Sequence, residues 1–258
     1  MFKVLGKKLI EYAIERAGLR SALQPSNTDP SAIPPDLDPE SIDIIHRVCP
    51  YTMTSAVRVF ALIQAVRHVV NAKIAGSIVE CGVWQGGSMM AAAYVLKSLG
   101  QCDRDLFLFD TYEGMTRPGD ADISHEGEAA LTQFEAARKD EDTATWCYAP
   151  IEKVRANLFS TGYDRARFNF IKGKVEDTIP AQAPDQIAIL RLDTDWYTST
   201  RHELVHLYPR LSVGGVLIID DYGHWQGSRK AVDEYFAEQN IPILLNRVDY
   251  TGRIAVKP

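Results

Sequence analysis

Four aspartates follow two apolar segments that are typical of buried, neighbouring strands. Asp193 and Asp195 come directly after residues 187–192, and the pair Asp220–Asp221 comes directly after residues 216–219. Because the carboxyl ends of adjacent parallel strands meet at one edge of a sheet, we expect these four side chains to crowd together there. Carboxylates crowd only where a cation or a shared proton offsets their repulsion. Hard divalent cations prefer oxygen ligands, so the spacing predicts a metal site.

A glycine-rich turn, Glu80-Cys-Gly-Val-Trp-Gln-Gly-Gly-Ser88, lies upstream between a predicted strand and a predicted helix. A glycine such as Gly82 lets the backbone approach a ligand closely, and the helix N-terminus near Ser88 favours an anionic group. The turn lacks the first close glycine pair of the GxGxxG fingerprint, which argues against a dinucleotide. We therefore expect Glu80, Gly82 and Ser88 to contact a different cofactor.

Two further acidic residues indicate which cofactor this is. Asp110 ends the second predicted strand, where an acidic side chain can accept hydrogen bonds from both hydroxyls of a ribose. Glu176 follows the third predicted strand and is placed to meet an adenine ring or its edge. A ligand with a ribose and a carboxylate, instead of a pyrophosphate, fits such a turn. S-adenosylmethionine is a ligand of this kind.

The elements that must position these residues alternate along the chain. Strands are predicted at residues 77–80, 105–110, 168–171, 187–192, 216–219, 243–248 and 253–256. Helices are predicted at residues 43–49, 55–72, 88–99, 129–138, 151–158, 200–211 and 226–239, and Thr200 and Glu203 have capping-box spacing. The alternation predicts an α/β fold whose mostly parallel sheet has helices on both faces. The last two strands have no helix between them, which predicts a closing hairpin and an antiparallel edge strand.

The first forty residues differ from the rest of the chain. Residues 1–16 carry apolar side chains at helical spacing with lysines between them, and residues 24–39 contain five prolines. We predict an amphipathic helix and a proline-rich linker over residues 1–40, followed by one domain over residues 41–258. Packing of this helix on its own domain or on a second subunit is favoured over contact with a membrane surface.

The bulk composition narrows the function classes. The chain has 258 residues, 46% of them hydrophobic and 24% charged, with a net charge of -6, which argues against a nucleic-acid partner. The four cysteines lack metal-binding spacing, and the longest apolar runs are too short for a bilayer span. These features predict a cytoplasmic protein with reduced thiols.

Four blocks of the sequence resemble the macrocin O-methyltransferase family. They are Glu80-Cys-Gly-Val-Trp-Gln-Gly-Gly-Ser88, Phe109-Asp-Thr-Tyr-Glu-Gly-Met115, Leu190-Arg-Leu-Asp-Thr-Asp-Trp-Tyr197 and Gly214-Gly-Val-Leu-Ile-Ile-Asp-Asp-Tyr222. The resemblance runs from about residue 51 to the C-terminus. It implies a Rossmann-like class I methyltransferase with S-adenosylmethionine as donor and antibiotic deoxysugars as familiar acceptors. Tyr51-Thr-Met-Thr54 resembles a family segment that folds over the cofactor, which implies contacts from Thr52 and Met53.

Methyl transfer to a sugar alcohol needs assistance, because alcohol protons are too weakly acidic to leave at neutral pH. A bound Mg²⁺ lowers the pKa of the hydroxyl, and a nearby base takes the proton. We assign Asp193, Asp220 and Asp221 as metal ligands, and the family resemblance implies the same set. Asp195 is the predicted general base. The alternative is that Asp193 both binds the metal and accepts the proton while Asp195 holds a substrate hydroxyl.

The leading hypothesis is therefore a Mg²⁺-dependent O-methyltransferase, working as a homo-oligomer on a sugar hydroxyl of a glycosylated natural product or glycan. A catechol-type O-methyltransferase acting on a small aromatic diol is the alternative, although the lysine base of that class has no counterpart beside Asp195. A binding protein with a decayed site is a third hypothesis, and the four intact aspartates argue against it. His202-Glu-Leu-Val-His206 matches the HExxH zinc motif formally, but a helix between two sheet strands does not favour that site.

Residues 113–165 form a long and irregular connection, which is typical of a lid or substrate loop. Within it, Trp146 has two interpretations: it grips a bulky acceptor, or it packs in the interior. His224 and Trp225 follow the aspartate pair and are expected to border the sugar.

Overall fold

The computed structural model describes residues 33–258. The predicted N-terminal amphipathic helix lies outside the described residues, as does most of the proline-rich linker. The first described helix, α1 (Pro39–Val48), begins at Pro39 rather than at residue 43. Asp38 explains the earlier start, because its carboxylate accepts a hydrogen bond from the Ser41 backbone N–H at 3.0 Å and proline suits the first helical position.

One mixed sheet of seven strands forms the centre of the described chain. Its strands are β1 (Ser77–Cys81), β2 (Leu106–Asp110), β3 (Phe168–Lys172), β4 (Ile187–Leu192), β5 (Leu211–Ile219), β6 (Asn246–Arg247) and β7 (Arg253–Val256). Their spatial order is β3-β2-β1-β4-β5-β7-β6, and neighbours from β3 to β5 pair in parallel. The predicted α/β architecture is confirmed. The antiparallel strand is β7, which lies between β5 and the two-residue edge strand β6.

Helices cover both faces of this sheet. After α1 they are α2 (Ala56–Asn71), α3 (Gly87–Ser98), α4 (Ala130–Ala136), α5 (Ile151–Ser160), α6 (Val175–Thr178), α7 (Tyr197–Leu207) and α8 (Gln226–Glu238). Helices α1, α2, α3 and α5 bury their apolar side chains against one face of the sheet, and α6, α7 and α8 against the other. Within residues 33–258, the helices are too short or too polar to cross a membrane.

Further boundaries differ from the sequence expectations, and strand β5 begins at Leu211 rather than at residue 216. Helix α7 begins at Tyr197 rather than at residue 200, so the predicted capping box of Thr200 and Glu203 is wrong. Glu203 is fully buried and accepts a hydrogen bond from the Thr194 hydroxyl at 2.8 Å instead. Strand β6 is shorter than the predicted 243–248, because an edge strand has a single neighbour to pair with.

The long connection over residues 113–165 has its own local structure. It contains α4, α5 and isolated bridges between Thr116 and Thr143, Ile123 and Ala129, and Arg138 and Ala144. A further bridge joins Ser124 to Trp225, in the loop that follows β5. The connection is therefore attached to the same loop that carries Asp221.

Candidate active site

The register of the central strands brings the aspartates to one edge. Glu80 of β1 lies opposite Arg191 of β4, and Arg191 lies opposite Ile218 of β5. The ladder continues beyond the strands, since the Asp193 N–H donates to the Cys81 carbonyl and the Asp220 N–H to the Leu192 carbonyl, both at 2.9 Å. Because side chains alternate along a strand, Asp193 and Asp220 follow Arg191 and Ile218 on the same face.

Three carboxylates converge at this edge. One oxygen each of Asp193, Asp195 and Asp221 lies within 4.8 Å of the others. Among residues 33–258, no second group of three or more histidine, cysteine, aspartate or glutamate side chains comes this close. The predicted ligands Asp193 and Asp221 are thus brought together, and the predicted base Asp195 belongs to the same group.

Asp220 has a different environment from the one expected of a simple ligand. Its Oδ1 accepts a hydrogen bond from Arg191 Nη2 at 2.7 Å, and its Oδ2 forms an ion pair with Arg58 Nη1. Sequence reasoning missed both arginines. The signal for Arg191 was present, because it is a single charge in the apolar run that forms β4. Arg58 gave no such signal, since it reaches Asp220 from α2 across 162 residues of sequence.

The enclosed surroundings of the aspartates shift their protonation. Burial, together with nearby carboxylates, raises the pKa of Asp195 to about 7. Burial also raises the pKa of Asp193 and of Asp221 well above the ordinary value, and repulsion from Asp220 adds to both. For Asp220 burial acts in the same direction, but Arg191 and Arg58 outweigh it and lower the pKa. The cluster therefore favours an added positive charge, either protons or a cation.

A cleft of about 430 Å³, including its open mouth, adjoins these carboxylates. Its walls are formed by Gly82, Phe109, Asp110, Thr111, Gly114, Met115, Thr116, Gly173, Lys174, Val175, Glu176, Asp193, Thr194 and Ser199. Three predicted cofactor contacts, Gly82, Asp110 and Glu176, therefore line one cleft together with Asp193.

The glycine-rich turn is shaped by close backbone contacts. Gly82 has a φ of +83°, and a Cβ at this position would lie 1.9 Å from the Asp193 carbonyl oxygen. The carboxylate of Asp110 accepts hydrogen bonds from the backbone N–H groups of Val83 at 2.7 Å, Trp84 at 3.0 Å and Tyr112 at 2.7 Å. Asp110 thus holds the turn in place as well as facing the cleft.

The remaining predicted cofactor contacts lie beside the cleft rather than in its walls. Glu80 is 1% exposed; its Oε1 accepts from Arg191 Nη1 at 2.8 Å, while its Oε2 has no hydrogen-bond partner among the described residues. Ser88 is buried in the first turn of α3. Thr52 packs against the turn, since a Cβ on Gly87 would lie 2.7 Å from the Thr52 Cβ, and Met53 is 52% exposed.

Three tryptophans connect the lid region to the aspartate loops. Ring centroids lie 5.7 Å apart for Trp146 and Trp196, 5.2 Å for Trp196 and Trp225, and 6.2 Å for Trp146 and Trp225. Trp196 follows Asp195 directly, and its Nε1 donates to the Thr116 carbonyl at 3.0 Å. Trp146 is half-buried and packs against the other two tryptophans, and its contact with a bulky acceptor stays a prediction.

Two pairs of histidines lie outside the walls of the cleft. His202 and His206 have ring centroids 4.4 Å apart, but His202 Nε2 contacts the Ile179 carbonyl and Glu203 is occupied by Thr194. The HExxH match therefore does not form a zinc site of three described ligands. The His224 ring centroid lies 5.1 Å from that of His125, in the 113–165 connection. The expected position of His224 beside the sugar stays a prediction.

Comparison with known proteins gives a consistent result. The family model described as Macrocin-O-methyltransferase (TylF) matches residues 41–256. The chain is 33% identical over 218 residues to the 8-demethyl-8-(2,3-dimethoxy-alpha-L-rhamnosyl)-tetracenomycin-C 4'-O-methyltransferase of Streptomyces olivaceus, covering 84% of this chain and 80% of that protein. It is 32% identical over 203 residues to the mycinamicin III 3''-O-methyltransferase of Micromonospora griseorubida, covering 78% and 76%.

Solved structures are similar in fold. The O-methyltransferase NovP is 30% identical, with a TM-score of 0.71 over 80% of this chain and 82% of that one. The calicheamicin methyltransferase CalS11 is 18% identical, with a TM-score of 0.57 over 85% and 86%, and shows the fold alone. These likenesses confirm the predicted Rossmann-like class I methyltransferase fold.

Proposed function

The chain belongs to the macrocin O-methyltransferase family and is an S-adenosylmethionine-dependent O-methyltransferase, and from this premise we propose that it methylates a sugar hydroxyl of a glycosylated natural product or glycan with the aid of Mg²⁺. The name of the tetracenomycin relative supports the acceptor class, because it describes O-methylation of a rhamnosylated tetracenomycin. The observation that carries the proposal is the position of Asp193, which lines the cofactor cleft and also belongs to the carboxylate cluster.

The cofactor half of the proposal uses the cleft and the turn. Asp110 and Glu176 line the cleft on the side of β2 and α6, where they are proposed to hold the ribose and the adenine. Gly82 leaves room for the amino-acid part of the donor to approach the turn. The unpartnered Oε2 of Glu80 supports its proposed role, because a buried carboxylate oxygen is expected to find a donor such as the ammonium group of the ligand.

The donor set fits Mg²⁺. Two guanidinium groups, those of Arg58 and Arg191, form ion pairs with four carboxylates, those of Glu80, Asp193, Asp220 and Asp249. Two further carboxylates, those of Asp195 and Asp221, lie close to Asp193. This excess of negative charge and the all-oxygen donors favour a hard divalent cation. Bound there, Mg²⁺ would supply a charge that lowers the pKa of an acceptor hydroxyl.

We propose Asp193 and Asp221 as ligands, as the sequence predicted. A ligand role for Asp220 requires that its two oxygens be shared with Arg191 and Arg58, whereas Asp193 shares one oxygen with Arg191. Carboxylate oxygens offer about two lone pairs each, so such sharing is chemically sound.

Asp195 is the proposed general base. One oxygen of its competitor Asp193 accepts from Arg191 Nη1 at 2.6 Å, which reduces its capacity to take a proton. Asp195 itself has a φ of +69°, an uncommon backbone conformation for a residue other than glycine. Residues held in such conformations are concentrated at functional sites, which supports a constrained role for Asp195.

A methyl-transfer assay tests the proposal. The enzyme is incubated with S-adenosylmethionine and, separately, rhamnosylated polyketides, simple alkyl rhamnosides, a sugar nucleotide and catechol, each with Mg²⁺ and with a chelator. We expect Mg²⁺-dependent gain of one methyl group on a glycoside, detected by mass spectrometry. Faster turnover of catechol than of every glycoside would overturn the acceptor class, and full turnover in chelator would overturn the metal.

We also propose a cytoplasmic homo-oligomer. All four cysteines, Cys49, Cys81, Cys102 and Cys147, are free thiols, which supports a reducing compartment. Light scattering of the purified full chain tests the assembly, and a mass equal to that of one chain would contradict it.

A further inference from the structure

Arg191 has the most extensive set of charged contacts among the described residues around the site. The side chain is 2% exposed and extends from the C-terminal end of β4. Nη1 donates to Glu80 Oε1 at 2.8 Å and to Asp193 Oδ2 at 2.6 Å. Nη2 donates to Asp220 Oδ1 at 2.7 Å and to the Thr54 hydroxyl oxygen at 3.0 Å.

These contacts join four separate parts of the site. Glu80 belongs to β1, just before the glycine-rich turn, and Asp220 follows β5. Thr54 belongs to the segment that precedes α2 and packs on that turn. The guanidinium therefore links the cofactor side to the carboxylate cluster through one rigid, planar group. A lysine ammonium would supply the charge but only one nitrogen for four acceptors.

The way in which Arg191 binds Asp193 is selective. It contacts Asp193 through Oδ2 alone, and it contacts Glu80 and Asp220 likewise through one oxygen each. The hydrogen bonds therefore fix the rotation of each carboxylate without occupying both of its oxygens. Groups that orient metal ligands in this way commonly affect metal affinity by about 10- to 100-fold.

We propose that Arg191 is a positioning residue, which orients Asp193 toward the proposed Mg²⁺ and ties that metal site to the strand that bears the glycine-rich turn. This inference rests on the proposed function, since it requires that the aspartate cluster bind a divalent cation. Arg191 touches neither the cation nor the substrates in this arrangement. Its effect is transmitted through Asp193.

A competing interpretation makes the opposite prediction. If Arg191 only neutralises carboxylates, its replacement by glutamine leaves more negative charge at the cluster and raises cation affinity. If it orients Asp193, the loss of its hydrogen bonds lowers cation affinity in spite of the added negative charge. The sign of the change therefore separates the two roles.

The test measures Mn²⁺ binding by calorimetry and by the electron paramagnetic resonance of free Mn²⁺, on the full chain saturated with S-adenosylhomocysteine. We expect Arg191→Lys and Arg191→Gln each to weaken Mn²⁺ binding about 10- to 100-fold. Unchanged Mn²⁺ affinity in Arg191→Lys, or increased affinity in Arg191→Gln, overturns the inference. If the glutamine variant does not fold, the charge-preserving lysine variant decides alone.

Arg104→Lys is the matched control. Arg104 is a partly buried arginine whose guanidinium donates to the backbone carbonyls of Ile74 and Gly76, away from the cluster. We expect this variant to bind Mn²⁺ like wild type. A wild-type enzyme that binds no Mn²⁺ refutes the proposed metal site and this inference with it. Wild-type binding that Arg191 variants retain in full refutes the inference only.

Discussion

The two halves of the site hold their acidic groups by different means. In the cofactor half, Asp110 is held by backbone N–H groups of the turn and of Tyr112. In the metal half, Asp193 and Asp220 are held by the guanidinium of Arg191, and Asp220 also by that of Arg58. Backbone donors orient a carboxylate without cancelling its charge. Guanidinium groups orient the carboxylate and also neutralise its charge. The metal half therefore contains fixed carboxylates of two kinds, compensated and uncompensated.

The two halves also meet at the backbone of the glycine-rich turn. Gly82, in the cofactor turn, lies so near the Asp193 carbonyl that no side chain fits between them. Differences between the halves should thus appear in separate measurements, except when this contact is changed.

The largest expected effect comes from the two proposed metal ligands. Asp193→Asn or Asp221→Asn removes a proposed ligand charge, and we expect kcat to fall by about 10³-fold or more. Because the proposed ribose and adenine contacts, Asp110 and Glu176, are unchanged in both variants, S-adenosylhomocysteine affinity should stay within about 3-fold of wild type, measured by calorimetry. Undiminished turnover in either variant would refute the metal assignment, and a parallel loss of nucleoside binding would show that the halves are not separable.

Removal of the metal should reproduce this separation without mutation. We expect a chelator to reduce turnover by at least about 100-fold and added Mg²⁺ to restore it, since metal activation contributes several kcal/mol. S-adenosylhomocysteine titrations with and without chelator serve as the control. Equal turnover in both conditions would mean that the aspartates act by sharing protons alone.

The converse change is made in the cofactor half. Asp110→Ala removes a charged acceptor from the cleft and from three backbone donors, so we expect S-adenosylhomocysteine affinity to fall about 10- to 100-fold. Mn²⁺ affinity should change little, because Asp110 is not a member of the cluster. A comparable loss of Mn²⁺ binding would contradict the division into halves.

The smallest effect on chemistry, but one that spans both halves, is expected from Gly82→Ala. The added Cβ meets the Asp193 carbonyl and the positive φ is strained, so the free energy of unfolding should fall by about 1–3 kcal/mol. That corresponds to roughly 2–4 °C in Tm per kcal/mol, measured by thermal denaturation. Gly100→Ala is the control, because Gly100 has a φ of +69° but open space around it. An equal effect at both positions would assign the loss to backbone strain alone.

Local patterns in the sequence were sufficient for the strands and for the convergence of the aspartates. The alternation of side chains along a strand and the parallel pairing of β4 with β5 place Asp193 and Asp220 side by side, independently of how the helices pack. The environment of Asp220 could not be predicted in this way, because Arg58 arrives from α2 and no local spacing encodes that contact. The start of α1 was predictable from Asp38 and Pro39, whereas the spacing of Thr200 and Glu203 suggested a cap that Trp196 and its neighbours exclude.

Asp122, in the 113–165 connection, caps the helix that begins beside Asp195. The carboxylate of Asp122 accepts from the backbone N–H groups of Gly119 at 2.7 Å and of Tyr197 at 2.8 Å. Tyr197 begins α7 only two residues after Asp195, and the N-cap residue Trp196 provides no side-chain cap of its own. Such a cap contributes about 1 kcal/mol. Loss of this contact would therefore weaken the first turn of α7 by about that amount, which makes Asp122 a link between the 113–165 connection and the position of the proposed base.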